Sequence, residues 1–285
     1  MRSMLDFYAR MLPFAQARSA AQFRHATVGG ALSDGAVLFE ETTTQFGTYE
    51  EGNWGCNAST DRSTVTTRPE GASQNRFIRF HFTGSLEMSL MALDLYDTTQ
   101  DPTDVEAYLP LIAAVVKGYL QRFPNRDART GKIDMWPSQA LETYGCHNFS
   151  GAEGGGLPSR TTCMTNPSTD IAGLMAVLPR LLALPHVLTT AADREAWDTH
   201  LQGLPPLPTA AAGQCFLPAS NPACHWNGTA VHARKFAPVA APELGSEALA
   251  AQRQNSENTE LYVYGNLDIF LCDHFPALCH PTRAA

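Results

Sequence analysis

The clearest hydrophobic pattern of the chain lies between residues 103 and 123. Its apolar positions recur at three- and four-residue spacing, which marks one face of an amphipathic helix. Residues 103–106 (Thr-Asp-Val-Glu) have the spacing of a capping box, and Pro124 follows the last apolar position. The pattern therefore predicts one helix over residues 103–123, whose apolar face comprises Tyr108, Leu111, Ile112, Val115, Val116, Tyr119, Leu120 and Phe123.

The segment just before it, residues 86–96, is dense in apolar side chains and predicts a more deeply buried helix. Residues 97–102 are then a short loop, so the two helices are expected to form an antiparallel hairpin. A similar pattern over residues 171–182 predicts another helix, with a kink or break at Pro179. Its partner is predicted to start at the capping signal of residues 190–193 and to end at the prolines of residues 204–208.

The first 25 residues predict one more helix, interrupted at Pro13. Long loops rich in Gly, Pro, Ser, Thr and Asn lie roughly at 47–75, 124–168 and 205–256, and loops of that length are usually functional or disordered. Alternation at period two is rare, with one short candidate strand at residues 215–217. The sequence therefore predicts an all-α protein of helical hairpins, a toroid or a solenoid, with the long loops at one end; no fixed-period repeat favours the solenoid.

Size and charge narrow the function classes. The chain has 285 residues, of which 44% are hydrophobic and 17% are charged, and this composition is typical of a globular rather than a disordered protein. A net charge of −8 argues against nucleic acid and against anionic membrane as partners, because both attract basic surfaces. Apolar runs stay below the ~20 residues that a membrane-spanning helix needs.

Export is indicated by two weak signals. Asn57, Asn148 and Asn227 begin N-glycosylation triplets, and the seven cysteines, several of them in Gly/Pro-rich loops, favour disulfides. The amphipathic N-terminus lacks a signal-peptide core. The expected compartment is therefore extracellular, vacuolar or lysosomal, for a chain cut from a longer one.

Two polar clusters suggest carbohydrate chemistry. Residues 255–262 (Asn-Ser-Glu-Asn-Thr-Glu-Leu-Tyr) contain two carboxylates and two carboxamides, followed by aromatic and apolar residues at 262–264. Residues 134–144 offer Trp136 and Tyr144 as stacking faces, with Gln139 and Glu142 as polar groups. Sugars need many hydrogen-bond partners and aromatic faces, and glycosidic cleavage needs carboxyl groups. The alternatives are a polar loop before a buried segment and an ordinary core segment with a solvated Glu.

Six segments fall in the order seen in six-hairpin glycosidases. They are residues 37–49, 75–82, 84–96, 137–143 (Pro-Ser-Gln-Ala-Leu-Glu-Thr), 166–174 (Asn-Pro-Ser-Thr-Asp-Ile-Ala-Gly-Leu) and 255–262. Over about residues 1–262 the chain resembles the (α/α)6-barrel domain of a family 95-like glycoside hydrolase group, whose better-known members are inverting α-L-fucosidases. The resemblance implies a partial catalytic domain at 1–264, an off-pattern tail at 265–285, and no cofactor.

Relatives of that type carry an N-terminal β-sandwich and further helices after the position of Tyr262, and neither is seen here. We therefore expect a fragment whose first and last hairpins lack neighbours. Leaving ~500 Å² of apolar surface uncovered at ~25 cal/mol per Å² forgoes about 12 kcal/mol, so the isolated chain is expected to aggregate, self-associate or remain partly molten.

Three glutamates are the candidate catalytic residues. An inverting glycosidase needs a protonated acid and, ~6.5–9.5 Å away, a base or a group that orients water. Glu142 is the candidate acid, since apolar neighbours raise a carboxyl pKa; the alternative is a helix-start carboxylate. Glu257 and Glu260 are candidates for the opposite wall; the alternative is a helix-capping cluster. The runner-up function is a catalytically inactive carbohydrate-binding or structural remnant.

A further set of residues is predicted to bind substrate, partly because of the resemblance to six-hairpin glycosidases. A lone buried His or Arg is more often structural, and Trp54 has the alternative of a loop anchor. Two Cys/His sets (Cys215, Cys224, His225, His232 and Cys272, His274, Cys279, His280) lack zinc-site spacing, so no metal is expected. The substrate-binding candidates are Trp54, Arg79, His81, Glu87, Trp136, Gln139, Asn166, Asn255 and Asn258.

Overall fold

The computed structural model describes residues 1–23, 29–33, 35–39, 80–139, 163, 165–207, 209–211 and 234–236. These residues are predominantly helical, as predicted. The elements are α1 (Arg2–Phe23), α2 (Thr83–Thr99), α3 (Pro102–Glu106), α4 (Leu109–Arg122), α5 (Ser168–Ala183), a 3-10 turn (His186–Leu188), α6 (Ala191–Gly203), β1 (Thr209–Ala211) and β2 (Arg234–Phe236).

The predicted helix over residues 103–123 is two helices, α3 and α4. Pro110 lies in the first turn of α4, where a missing N–H costs nothing, whereas inside one long helix its ring would clash with the preceding turn. The cap also differs from the prediction: the N-cap residue is Asp101, not Thr103, and the Asp101 Oδ1 accepts a hydrogen bond from the Thr103 amide at 2.9 Å. The prediction of one continuous helix was therefore wrong at Pro110.

Two other prolines lie inside continuous helices. Helix α1 continues through Pro13, and α5 continues through Pro179. The predicted break at Pro13 was therefore wrong. The capping prediction for α6 is confirmed, since Thr190 Oγ1 accepts a hydrogen bond from the Asp193 amide at 3.1 Å.

Helices α2 and α5 lie side by side and run in the same direction. Thr83 and Asp170, in their first turns, are hydrogen bonded, while Arg180, near the end of α5, pairs with Asp94 and Asp97 near the end of α2. Between these contacts a Cβ placed on Gly173 would lie 2.6 Å from Leu86 Cδ1, so the glycine permits a close approach of the two helices.

Helices α1, α4 and α6 run in the opposite direction. The beginning of α1 meets the beginning of α4 through the Tyr108–Asp6 hydrogen bond, and the Arg122 guanidinium lies 4.7 Å from the Phe23 ring centroid at their ends. Helix α4 also contacts α2 and α6. Two layers result, with α2 and α5 in one and α1, α4 and α6 in the other.

The two ends of this bundle differ in their connections. Residues 100–108 and 184–190 join helices at the end where α2 and α5 finish, which we call the short-loop end. Residues 24–82 and 123–167 join helices at the end where α2 and α5 begin, and the chain after Gly203 also leaves from there; we call this the long-loop end. The candidate site residues that are described lie at or near the long-loop end.

The core lies between the layers and is built mainly from aliphatic and aromatic side chains such as Leu86, Ile112 and Leu174, with the extended segment 36–39 inserted against α1, α2 and α4. Met4 and Phe14 of α1 are 45% and 57% exposed. Strands β1 and β2 form a short antiparallel ribbon that was not predicted, whereas the candidate strand at 215–217 lies outside the described residues. Among the helices that the structure describes, none is both long and apolar enough to cross a membrane.

Candidate functional site

A strap of extended chain, residues 133–139, crosses the long-loop end. The Ile133 amide donates to the Gly203 carbonyl at 2.8 Å, which joins the strap to the end of α6. Asn166, just before α5, then binds Met135 twice: its Oδ1 accepts from the Met135 amide at 2.8 Å, and its own amide donates to the Met135 carbonyl at 3.1 Å. The strap therefore spans from α6 to the start of α5.

The strap ends against the residues that precede α2. The Phe80 amide donates to Gln139 Oε1 at 2.6 Å, and the Gln139 amide donates to the Phe80 carbonyl at 3.2 Å. Gln139 is fully buried. Asn166 and Gln139, both predicted to bind substrate, thus use their side-chain carbonyls to hold protein backbone; binding of sugar by either residue stays a prediction.

Asp170 lies at the centre of the contact between the strap and the helices. Its Oδ1 accepts hydrogen bonds from Thr83 Oγ1 at 2.8 Å and from the Tyr119 hydroxyl at 3.1 Å, and its Oδ2 accepts from Ser138 Oγ at 3.1 Å. Burial raises the pKa of Asp170 to about 6, against the opposite effect of the three hydroxyl donors. A carboxyl in this state gains or loses its proton near neutrality.

Glu87 is one helical turn beyond Thr83 on α2. It is partly buried, and burial raises the pKa of its carboxyl. Its charge also contributes to the raised pKa of Tyr119, whose first cause is burial and whose second is Asp170. Glu87 makes no hydrogen bond or ion pair within the described structure, so it is a partly accessible carboxyl whose pKa is raised by burial.

His81 is buried directly before α2. Burial lowers the pKa of the imidazole to about 4, although a hydrogen bond to the Gln139 backbone acts in the other direction. The ring is therefore neutral at ordinary pH. Its Nδ1 has no hydrogen-bond partner among the described residues. It is a neutral group that helps to hold the end of the strap.

Trp136 is the aromatic residue of the strap. It is partly exposed, packs against the core, and is followed by a cis bond to Pro137. Because Met135 and Ser138 on either side are hydrogen bonded to the start of α5, the position of the indole is determined by the helices. A partly exposed ring held in this way is suited to stacking on a sugar face.

The remaining predicted site residues lie outside the described residues. They are Glu142, Glu257, Glu260, Trp54, Arg79, Asn255 and Asn258, and both Cys/His sets considered for metal also lie there. Within the described ranges, no group of three or more His, Cys, Asp or Glu side chains is arranged to hold a metal ion.

Sequence reasoning missed the Asp170 cluster. Asp170 belongs to the 166–174 segment that carried the resemblance, but Asn166 alone was selected from it. One signal was present: Ser168, Thr169 and Asp170 are three polar residues that open a strongly apolar helix, and all three are buried. Thr83, Tyr119 and Ser138 carried no comparable signal, because their common partner is distant in sequence.

Cys163, just before α5, is disulfide-bonded. It is the only cysteine within the described ranges, and it is buried. Disulfides persist in oxidising compartments, which is the environment that the cysteine content suggested.

No protein-family model matches this chain, and a search of curated proteins gives no match either.

Proposed function

We propose that the chain is a glycoside hydrolase-like domain that cleaves a glycosidic bond at its long-loop end by an inverting acid/base mechanism. The observation that carries this proposal is Glu87, a partly accessible carboxyl without a hydrogen-bond partner in the described structure. It lies at the same end of the helices as the partly exposed Trp136. A partly accessible carboxyl with a raised pKa, at the same end of the fold as an aromatic face, provides the kinds of group that recognition and cleavage of a sugar require.

The arrangement of the helices supports an (α/α)6 toroid as the architecture. In a ring of helical hairpins, the inner helices run parallel to one another and the outer helices run the opposite way. Helices α2 and α5 against α1, α4 and α6 follow this rule. The proposal extends this two-layer order to a ring whose inner layer contains α2 and α5.

The proposed chemistry divides among carboxyl groups. Glu142, three residues beyond the strap, donates its proton to the glycosidic oxygen as that bond breaks. A water molecule attacks the anomeric carbon from the other side and gives its proton to Glu257 or Glu260. Glu87 binds a sugar hydroxyl, and Trp136 covers the apolar face of the ring.

The alternative function is a catalytically inactive carbohydrate-binding or structural remnant. It is favoured by the strap contacts, in which Gln139 and Asn166 hold backbone groups rather than facing an open cleft. In that case the long-loop end binds sugar or has only a structural role. The wild-type protein then has no turnover, so substituting a carboxyl residue changes no rate.

The two functions are separated by Glu142→Gln. The amide cannot donate the proton, so hydrolysis of natural glycans should fall by about 10²–10⁴-fold. Aryl glycosides with good leaving groups need less protonation and should lose less. Glycan binding, measured by calorimetry, should persist.

The matched control is Glu106→Gln, which changes an exposed glutamate at the short-loop end. It should leave both turnover and binding unchanged. Equal turnover in Glu142→Gln and wild type would contradict the acid assignment, and binding without turnover in the wild-type protein would favour the remnant.

A further inference from the structure

The carboxylate of Asp170 connects four separate parts of the fold. Thr83 belongs to α2, Tyr119 to α4, Ser138 to the strap, and Asp170 itself to the first turn of α5. All four side chains are buried, so water cannot take the place of a hydrogen-bond partner that is removed. The strap is thereby attached to the same group that joins the helices.

The two oxygens of this carboxylate have different partners. Oδ1 accepts from the two helix-borne hydroxyls, Thr83 and Tyr119, while Oδ2 accepts from Ser138 of the strap. An ionised carboxylate is acceptor-only and can serve several donors at once, which a shorter or apolar side chain cannot. One oxygen therefore holds the helices together and the other holds the strap to them.

We infer that Asp170 is a positioning residue, which fixes the strap through Ser138 and thereby sets the place of Trp136. This inference rests on the proposed function for its catalytic consequence, but the placement of the strap is a property that is measured separately. Asp170 acts through the strap and does not itself touch substrate.

The positions flanking Trp136 show why this one contact matters. Met135 is held by Asn166, and Gln139 is held by Phe80. Between them, Ser138 is the position at which the strap is tied to a carboxyl group by way of its side chain. When this bond is lost, the strap loses its link to the carboxyl group that joins the helices, and the order of the chain around Trp136 should decrease.

A matched pair of variants separates the two oxygens. Ser138→Ala removes the strap's hydroxyl from Oδ2, whereas Thr83→Val removes a helix hydroxyl from Oδ1 and keeps the side-chain shape. Both hydroxyls are fully buried, and Thr83→Val also removes a hydrogen bond of 3.3 Å between the Thr83 and Thr169 hydroxyls, so the control loses contacts between helices and none to the strap. Hydrogen exchange of the Met135 and Gln139 amides, which donate to Asn166 and Phe80, reports the order of the strap.

Exchange at these two amides should rise about ten-fold in Ser138→Ala and stay unchanged in Thr83→Val. Asp170→Ala should raise it at least as much. Asp170→Asn should restore slow exchange, because the amide oxygen accepts from Thr83 and Tyr119 and the amide nitrogen donates to the Ser138 oxygen. If the aspartate variants fail to fold, the Ser138 and Thr83 pair decides alone.

Turnover of a glycan should depend on the order of the strap. The kcat should fall about ten-fold in Ser138→Ala and remain at the wild-type value in Thr83→Val. Equal exchange in Ser138→Ala and Thr83→Val, or a loosened strap with unchanged kcat, would overturn the inference. If no variant and no wild-type sample hydrolyses any glycan, the proposed function fails, and the exchange result still decides whether Asp170 positions the strap.

Discussion

The two ends of the α2–α5 pair are joined by different kinds of polar contact. Where the helices begin, the fully buried Asp170 carboxyl accepts from three hydroxyl groups. Where they end, Arg180 reaches Asp94 at 2.8 Å and Asp97 at 2.6 Å, and the two aspartates are 37% and 57% exposed. At the second site water reaches both carboxylates, although the Arg180 side chain is only 16% exposed, whereas at the first site all the partners are buried.

The comparison shows where the fold depends on polar chemistry. An exposed ion pair is screened and contributes ~0–1 kcal/mol, whereas each buried donor left without an acceptor costs ~1–3 kcal/mol. For the α2–α5 pair, the end at Asp170 is therefore where single polar substitutions have the larger effect, and the same end of the fold carries Trp136 and Glu87. The following predictions test this difference.

The largest effect is expected from Asp170→Ala. It leaves Thr83, Tyr119 and Ser138 with buried hydroxyls that have lost their common acceptor, so the free energy of unfolding should fall by about 3–5 kcal/mol. Chemical denaturation at neutral pH measures it. The control Asp94→Ala, at the other end, should cost less than about 1 kcal/mol. Similar losses in the two variants would contradict the comparison.

A pH effect of nearly the same size is expected from His81. Its pKa is lowered from 6.5 to about 4 in the folded protein, so the unfolded state binds the proton more tightly between these values. Stability should therefore be full above pH 6.5 and decline as the pH falls toward 4. At 1.36 kcal/mol per pKa unit, the loss is about 3 kcal/mol.

Asp170 should act in the opposite direction over a similar range. Its pKa rises from 3.8 to about 6, so its contribution is full below pH 3.8 and is lost as the pH rises through 6. His81→Gln should therefore flatten the loss of stability on acidification, and Asp170→Asn should steepen it. Denaturation midpoints across this pH range measure both slopes. Parallel curves for the two variants would refute both assignments.

A smaller effect is expected in the middle of the pair, from Gly173→Ala. The new Cβ would lie 2.6 Å from Leu86 Cδ1, and such overpacking costs ~1–3 kcal/mol. Gly84→Ala on α2 is the matched control, because nothing lies within 4 Å of the added Cβ, and it should stabilise the helix by ~0.5–1 kcal/mol. Thermal melts of both variants should shift in opposite directions; equal shifts would contradict the close approach at Gly173.

The smallest effect is expected from Arg180→Met at the short-loop end. Loss of the two ion pairs should lower the unfolding free energy by ~0.5–1 kcal/mol, and the difference from wild type should shrink at high salt. Denaturation at low and high salt measures it. A loss comparable to that of Asp170→Ala would show that the two ends depend equally on their polar contacts.

The sequence predicted the helices better than it predicted their contacts. The apolar periodicity of α5 and the cap at Thr190 were sufficient to place those helices, because both signals are local. Pro110 was overlooked because the apolar pattern continues through it, and so α3 and α4 were read as one helix. At Pro13 a break was predicted, but α1 continues through this residue.

The candidate site was predicted only in part, for a physical reason. His81, Glu87 and Trp136 are placed at or near the long-loop end, but the Asp170 cluster combines residues from four segments. Hydroxyl groups such as Thr83 and Ser138 become informative only once the helices bring them to one carboxylate. Periodicity predicts which face of a helix is buried, and it does not predict which buried hydroxyl meets which acceptor.

The central claim is that the long-loop end is the carbohydrate-binding end. Its most direct test is hydrogen exchange of the whole chain with and without a mixture of plant, algal and microbial oligosaccharides. The account predicts slower exchange at residues 80–87 and 133–139, with no change at 97–108 or 184–191. Slower exchange at the short-loop end, or no change at either end, would contradict it.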